Sequence, residues 1–208
     1  MEGLSHVHVT TKPRDIAAPW LTEHTGGALT LAAPNPRSEN ILDRSLNLFQ
    51  VQSGAPLQQE LDGSAWITSV GIAVSDLGST LVGWARGGGA VLSQRSQCGV
   101  VECASCVDPW GVSYELVQSG SPGLSHVNIA AHDPEELLRW YETHLGGETG
   151  GARPSWLAAG VVALRFPQTG LRLCFCQAAP GSSPPDAPTD TANRKTGREY
   201  TYPRWLLV

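Results

Sequence analysis

Apolar and polar residues alternate at the start of the chain. From Ser5 to Thr11 it reads Ser-His-Val-His-Val-Thr-Thr. In an extended strand this puts His6 and His8 on one face and Val7 and Val9 on the other. The pattern then turns helical over Arg14 to His24, with Ile16, Trp20 and Leu21 as its apolar positions. Pro19 inside that stretch predicts a kink, and Gly26-Gly27 a stop. Strands are predicted at Ala28 to Ala32 and at Ser45 to Val51, on either side of a Pro34-Asn35-Pro36 loop. A second round begins at Trp66, with a strand at Ile67 to Ile72 and a helix over Asp76 to Arg86 carrying Leu77, Leu81 and Trp84 or Ala85. Strands follow at Ala90 to Ser93, Val100 to Val107 and Val112 to Val117. The turn Asp108-Pro109-Trp110-Gly111, with proline second and glycine fourth, delivers the last of these. That strand shows Val112, Tyr114 and Leu116 on one face and Ser113, Glu115 and Val117 on the other. A third round opens at Gly123. Its helix carries the strongest start signal in the chain, Asp133 as cap, Pro134 at N1 and Glu136 at N3. Strands at Trp156 to Phe166 and Leu171 to Gln177 complete it.

The rounds are copies. Gly3-Leu4-Ser5-His6-Val7 returns as Gly123-Leu124-Ser125-His126-Val127, and Trp20, His24 and Gly26-Gly27 return as Trp140, His144 and Gly146-Gly147. Nine of the 25 positions from Gly3 to Gly27 are identical at this offset of 120, far above chance, so a repeat governs the architecture. At about half that offset, 63, Ile67 to Ile72 aligns on Leu4 to Val9 with its apolar positions preserved, and Ser69 stands where His6 does. After Gln177 the composition collapses into a Pro/Ser-rich stretch, and strand-like residues reappear from Glu199 to Val208.

Composition narrows the function classes. A net charge of -5 without a basic run argues against nucleic-acid and anionic-membrane partners. The start lacks the charged and apolar regions of a signal peptide, and no apolar run reaches the ~18 residues of a membrane span, so a cytoplasmic protein is expected. Five cysteines is an odd count, and Cys103-x-x-Cys106 has no second such pair beside it. Reduced structural cysteines are expected rather than zinc ligands.

Three features together, the SHVHV strand with a short helix ending in Gly-Gly, the related strand about 60 residues on, and the closing Asp108-Pro109-Trp110-Gly111-Val112-Ser113-Tyr114-Glu115-Leu116, resemble the vicinal-oxygen-chelate superfamily of glyoxalases, bleomycin-resistance proteins and extradiol dioxygenases. The resemblance implies an α+β fold of tandem βαβββ modules, two of which cup one cavity. Residues 1–120 are then one complete domain (modules 3–60 and 64–119), 121–179 a third, unpaired module, and 180–208 a tail with a terminal strand. It also implies a divalent metal, nickel, zinc, manganese or iron, held by His6 and Glu115, with Glu115 as the catalytic carboxylate. Ser69 stands where a second histidine is expected. Gln50 falls at the fourth ligand position of glyoxalases, and His8 could take the place that Ser69 leaves.

Each residue has a plainer reading: His6 as a hydrogen-bonded cavity wall, His8 as a half-exposed strand residue, Gln50 and Ser69 as pocket lining, and Glu115 as the partner of Arg86 or Arg95. His126 repeats His6, but no later module supplies it with a carboxylate. The tryptophans Trp20, Trp84 and Trp140 are expected to pack, and His24 and His144 to sit at helix C-termini. Two functions stay open. One is a metal-dependent lyase, isomerase or dioxygenase acting on a small molecule. The other is a metal-free binding protein, or a degenerate non-catalytic copy. The open edge of an unpaired third module predicts a homodimer or a folded-back tail.

Overall fold

The computed structural model describes residues 7–9, 14–26, 28–31, 39–42, 65–97, 100–120, 122–150, 154–167, 170–182 and 205–207. In chain order its elements are β1 (Val7–Val9), α1 (Arg14–Thr25), β2 (Ala28–Leu31), β3 (Glu39–Leu42), β4 (Ala65–Val74), α2 (Leu77–Arg86), β5 (Ala90–Gln97), β6 (Val100–Val107), β7 (Ser113–Gln118), β8 (Gly123–Ala131), α3 (Pro134–Leu145), β9 (Val162–Arg165), β10 (Arg172–Gln177) and β11 (Trp205–Leu207). The strand predicted at Ser45 to Val51 lies outside the described residues.

α2 and α3 start where short acidic side chains cap them. Asp76 Oδ1 accepts the Ser79 amide, and Asp133 Oδ1 accepts the Glu136 amide, both at 2.9 Å. Each cap is worth about 1 kcal/mol. At the far end α3 stops on Gly146 in the left-handed region at φ 71°, a conformation that costs glycine nothing. α1 runs through Pro19, whose ring lies on the exposed side.

Seven strands form one sheet in the order β5-β6-β7-β4-β8-β10-β9. At its centre β4 and β8 pair antiparallel, with Val70 opposite Val127, Gly71 opposite His126 and Ser69 opposite Asn128. β7 runs parallel to β4 with Glu115 beside Gly71, and β10 runs parallel to β8. Each half therefore makes the same excursion of strand, helix, outer strands and a last strand returning beside the first. In the second copy the strand matching β5 has shrunk to an isolated Glu148–Arg165 bridge, and residues 154–161 form turns where a longer strand was predicted.

This pairing corrects the expectation of an unpaired third module. β8, the strand expected to lack a partner module, lies against β4, because the second and third modules share this sheet. The described strands of the first module lie in two further sheets: β2 pairs with β3, and β1 pairs with β11, so the terminal stretch meets the chain's first strand.

Alternation along the central strands gives the sheet two unlike faces. Val70, Ile72, Val74, Tyr114, Leu116, Val127, Ile129, Leu173 and Phe175 form the helix-covered core with Leu77, Leu81 and Trp84 of α2 and Leu138 and Tyr141 of α3. Trp84 is fully buried and donates its indole N–H to the Val107 carbonyl at 3.0 Å. A side chain of this size contributes roughly 3 kcal/mol by burial. α1 reaches this layer through Trp20, whose Nε1 donates to the Gly87 carbonyl at 2.9 Å. Trp140 departs from expectation, being 44% exposed. The opposite face of the sheet carries Ser69, Gly71, Cys103, Glu115, His126 and Asn128, and the site is built on it.

Candidate functional site

Glu115 is the hub. Its position on β7 faces it away from the core, yet only 11% of its side chain is exposed. A buried carboxylate needs donors, and three strands bring four of them. From β5, Arg95 Nη2 forms an ion pair with Oε1. From β6, the Cys103 thiol donates to the same oxygen at 2.6 Å. From β8, His126 Nε2 lies 3.0 Å from Oε2, and Asn128 Nδ2 donates to Oε2 at 2.6 Å. The same Asn128 amide donates to Ser69 Oγ at 2.9 Å, which ties β4 into the network.

β8 is not adjacent to β7; β4 lies between them. The His126 imidazole bridges that gap across Gly71, where any Cβ would overlap the ring at Cε1 and Nδ1. Glycine at 71 therefore leaves the room that lets His126 reach the carboxylate. With Glu115 ionised, Nε2 donates toward it, and Nδ1 lies 3.2 Å from the Ser125 hydroxyl oxygen. Trp156 closes the network off, its indole stacked on the imidazole at 4.2 Å and 19°. His126 is fully buried.

The electrostatics follow from these contacts. Burial alone would raise the Glu115 carboxyl; bonds from His126, and then from Cys103 and Asn128, outweigh it and hold the group at about 2. Burial pushes the Cys103 thiol the other way, and the adjacent carboxylate adds to that, up to about 12. At neutral pH the site thus holds a carboxylate, a guanidinium and a protonated thiol. A cleft of about 440 Å³ opens beside them, lined by Arg95, Glu102, Cys103, Trp156 and Leu157 among others. Its floor joins the small apolar cluster of Ala73, Cys103 and Val117.

Solved structures share this fold. Glyoxalase I from Zea mays superposes with a TM-score of 0.59 at 17% identity, over 86% of this chain and 69% of that one. A dioxygenase candidate from Bacillus subtilis does so at 0.56 and 13% identity, over 87% and 65%. This is the vicinal-oxygen-chelate fold. The α+β class and module pattern expected from the sequence are those of this fold. No protein-family model matches the chain, and no curated protein matches it.

Of the vicinal-oxygen-chelate positions taken from the sequence, Glu115 is at the hub and Ser69 is one hydrogen bond removed, through Asn128. His6 and Gln50 lie outside the described residues, and so does the side chain of His8 on β1. The carboxylate partner withheld from His126 is Glu115 itself, a correction that follows from β8 lying beside β4 rather than at a free edge. Arg95 was one of two cations proposed for Glu115, and it is the one that pairs. Cys103, Asn128, Gly71 and Trp156 went unrecognised as site residues. The strand repeat was the signal for His126, and the parity of β6 and β8 was the signal for Cys103 and Asn128.

A metal fits this donor set poorly. Among the described residues no three His, Cys, Asp or Glu side chains are placed to share an ion. The anchoring carboxylate already accepts four donors, and one of them is a cation. A divalent ion within about 4 Å of the guanidinium would meet repulsion of several kcal/mol, so it would have to displace Arg95.

The four described cysteines form no disulfide, and Cys103, Cys106 and Cys174 are buried. No helix among the described residues is long and apolar enough to cross a membrane.

Proposed function

We propose that this chain is a small-molecule-binding protein of the vicinal-oxygen-chelate fold whose site works without a metal. One observation carries the reading: both oxygens of the buried Glu115 are taken by protein donors, and the cation beside them is Arg95. The ligand enters the cleft over Trp156 and Leu157 and meets the outward N–H groups of Arg95, whose side chain is 45% exposed. Glu115 and Cys103 orient the guanidinium from below. Such preorganisation lowers the entropy lost when a ligand binds.

The metal-dependent lyase, isomerase or dioxygenase keeps one supporting observation, the imidazole and carboxylate placed together by His126 and Glu115. It requires Arg95 to swing out and a further ligand, His6, His8 or Gln50, to come in. Metal analysis of the purified protein, before and after incubation with nickel, zinc, manganese and ferrous iron, separates the two. The binding reading expects less than stoichiometric metal in every case. One tightly held ion per chain, lost in Glu115→Gln, would establish the enzyme reading instead. Small-molecule binding itself is tested by screening a compound library for stabilisation of the native chain. Hits are expected to lose their effect in Trp156→Ala.

A further inference from the structure

We propose that Arg165 and Arg172 form a binding site for a doubly charged oxyanion on the face of the sheet that carries Glu115. The two residues stand directly opposite each other on the antiparallel strands β9 and β10. Their neighbours Leu164, Phe166, Leu171 and Leu173 are buried in the helix-covered core, so by alternation both arginines belong to the other face. Arg172 also pairs with His126 on β8, and so extends the row that runs from Glu115 through Gly71 and His126.

Backbone hydrogen bonding sets their spacing. The Arg165 amide donates to the Glu148 carbonyl at 2.9 Å, and the Arg165 carbonyl accepts the Glu148 amide at 2.8 Å, so both groups point away from β10. Opposite Arg172 it is therefore a non-hydrogen-bonded pair, the closer of the two kinds of antiparallel pair. One residue on, the Phe166 amide donates to the Leu171 carbonyl at 2.8 Å. With both of those side chains buried, the register cannot slip without exposing them.

Like charges directly opposite each other destabilise a ladder. Among the described residues nothing offsets the pair: Glu115 is taken by Arg95 and His126, and Glu148, bridged to Arg165 through the backbone, makes no ion pair with it. Arg165 is exposed and Arg172 half-buried, so a ligand reaches them from solvent. Each guanidinium is a fork of donors without an acceptor, which matches the paired oxygens of a carboxylate or phosphate. Two forks at cross-strand spacing suit two negative charges close together, as on a phosphate monoester or a short dicarboxylate. In a chain of net charge -5 the pair is a local feature and not part of a generally basic surface. It is also separate from the cleft at Arg95, which belongs to β5 at the opposite edge of the sheet.

Thermal melts of the full chain at mildly alkaline pH, in phosphate or succinate against chloride of matched ionic strength, test this. A saturable rise in melting temperature is expected with at least one dianion. Response to phosphate alone identifies a phosphate group as the ligand, and response to succinate alone a dicarboxylate. Arg165→Gln and Arg172→Gln are each expected to raise the half-saturating concentration by about 10-fold or more, as loss of a charge-assisted hydrogen bond implies. Arg165→Gln also removes the like-charge pair, so in chloride it is expected to be at least as stable as the parent, which separates a lost site from a damaged fold. Equal melting temperatures in dianion and chloride overturn the proposal. So does a dianion response unchanged in both variants, the mark of general exclusion of the salt from the protein surface.

Discussion

Gly71→Ala tests the central geometric claim about the site. The backbone at Gly71 is ordinary strand, so alanine by itself is tolerated and would even stabilise by up to about 1 kcal/mol through reduced freedom of the unfolded chain. What it meets is the His126 ring, which would overlap the added methyl at three atoms. His126 cannot retreat easily, because it is fully buried with Trp156 stacked against it. Overpacking costs about 1–3 kcal/mol, and losing the bond to an ionised Glu115 costs about 1.5–3 more. The net expectation is a loss of roughly 2–5 kcal/mol, or a melting temperature lower by about 5–15 °C for a chain of this size. Urea or thermal melts followed by circular dichroism measure it. The double variant Gly71→Ala with His126→Ala supplies the control. Without the ring there is no clash, so the pair is expected to be no less stable than His126→Ala alone. The reasoning is refuted if Gly71→Ala matches the wild type, or if the two losses simply add.

Other expectations follow from the same network. Because Glu115 is held at about 2 against an ordinary 4.5, its contribution is present above pH 4.5 and is lost as pH falls toward 2. This amounts to about 3 kcal/mol, and Glu115→Gln is expected to flatten the acid limb of the stability–pH curve. Cys103 has the opposite sign. Raised to about 12, its stabilising effect is full below its usual value of 9 and drains away as pH climbs through 12. At neutral pH its thiol is expected to resist alkylation until the protein unfolds, and rapid labelling of native Cys103 by iodoacetamide would contradict that. Arg95→Met leaves a buried carboxylate without its cation. A loss of roughly 1–3 kcal/mol is expected, less than for a fully buried pair because Arg95 is 45% exposed. Denaturant titration at neutral pH reads it, and an unchanged midpoint would remove Arg95 from its role as resident cation.

Much of this molecule was determined by local sequence. Alternation set which side of each strand faces the helices, so the opposite faces of Glu115 and Tyr114 were legible without a structure, as were the Asp76 and Asp133 caps. The repeat predicted a common strand–helix pattern for Gly3 to Gly27 and Gly123 to Gly147, and the described helices α1 and α3 carry matching Trp–His stacks. None of these signals says which strand lies beside which, because strand pairing joins residues far apart in the chain. The same local pattern is compatible with β4 pairing back to the first module or on to the third. Tertiary structure chose the third, and that choice gave Glu115 an imidazole neighbour in His126. It also brought Arg95 of β5 to Glu115 across β6. The missing Cβ of Gly71 matters only because an imidazole from the next strand needs that space, and no pattern within β4 can show it.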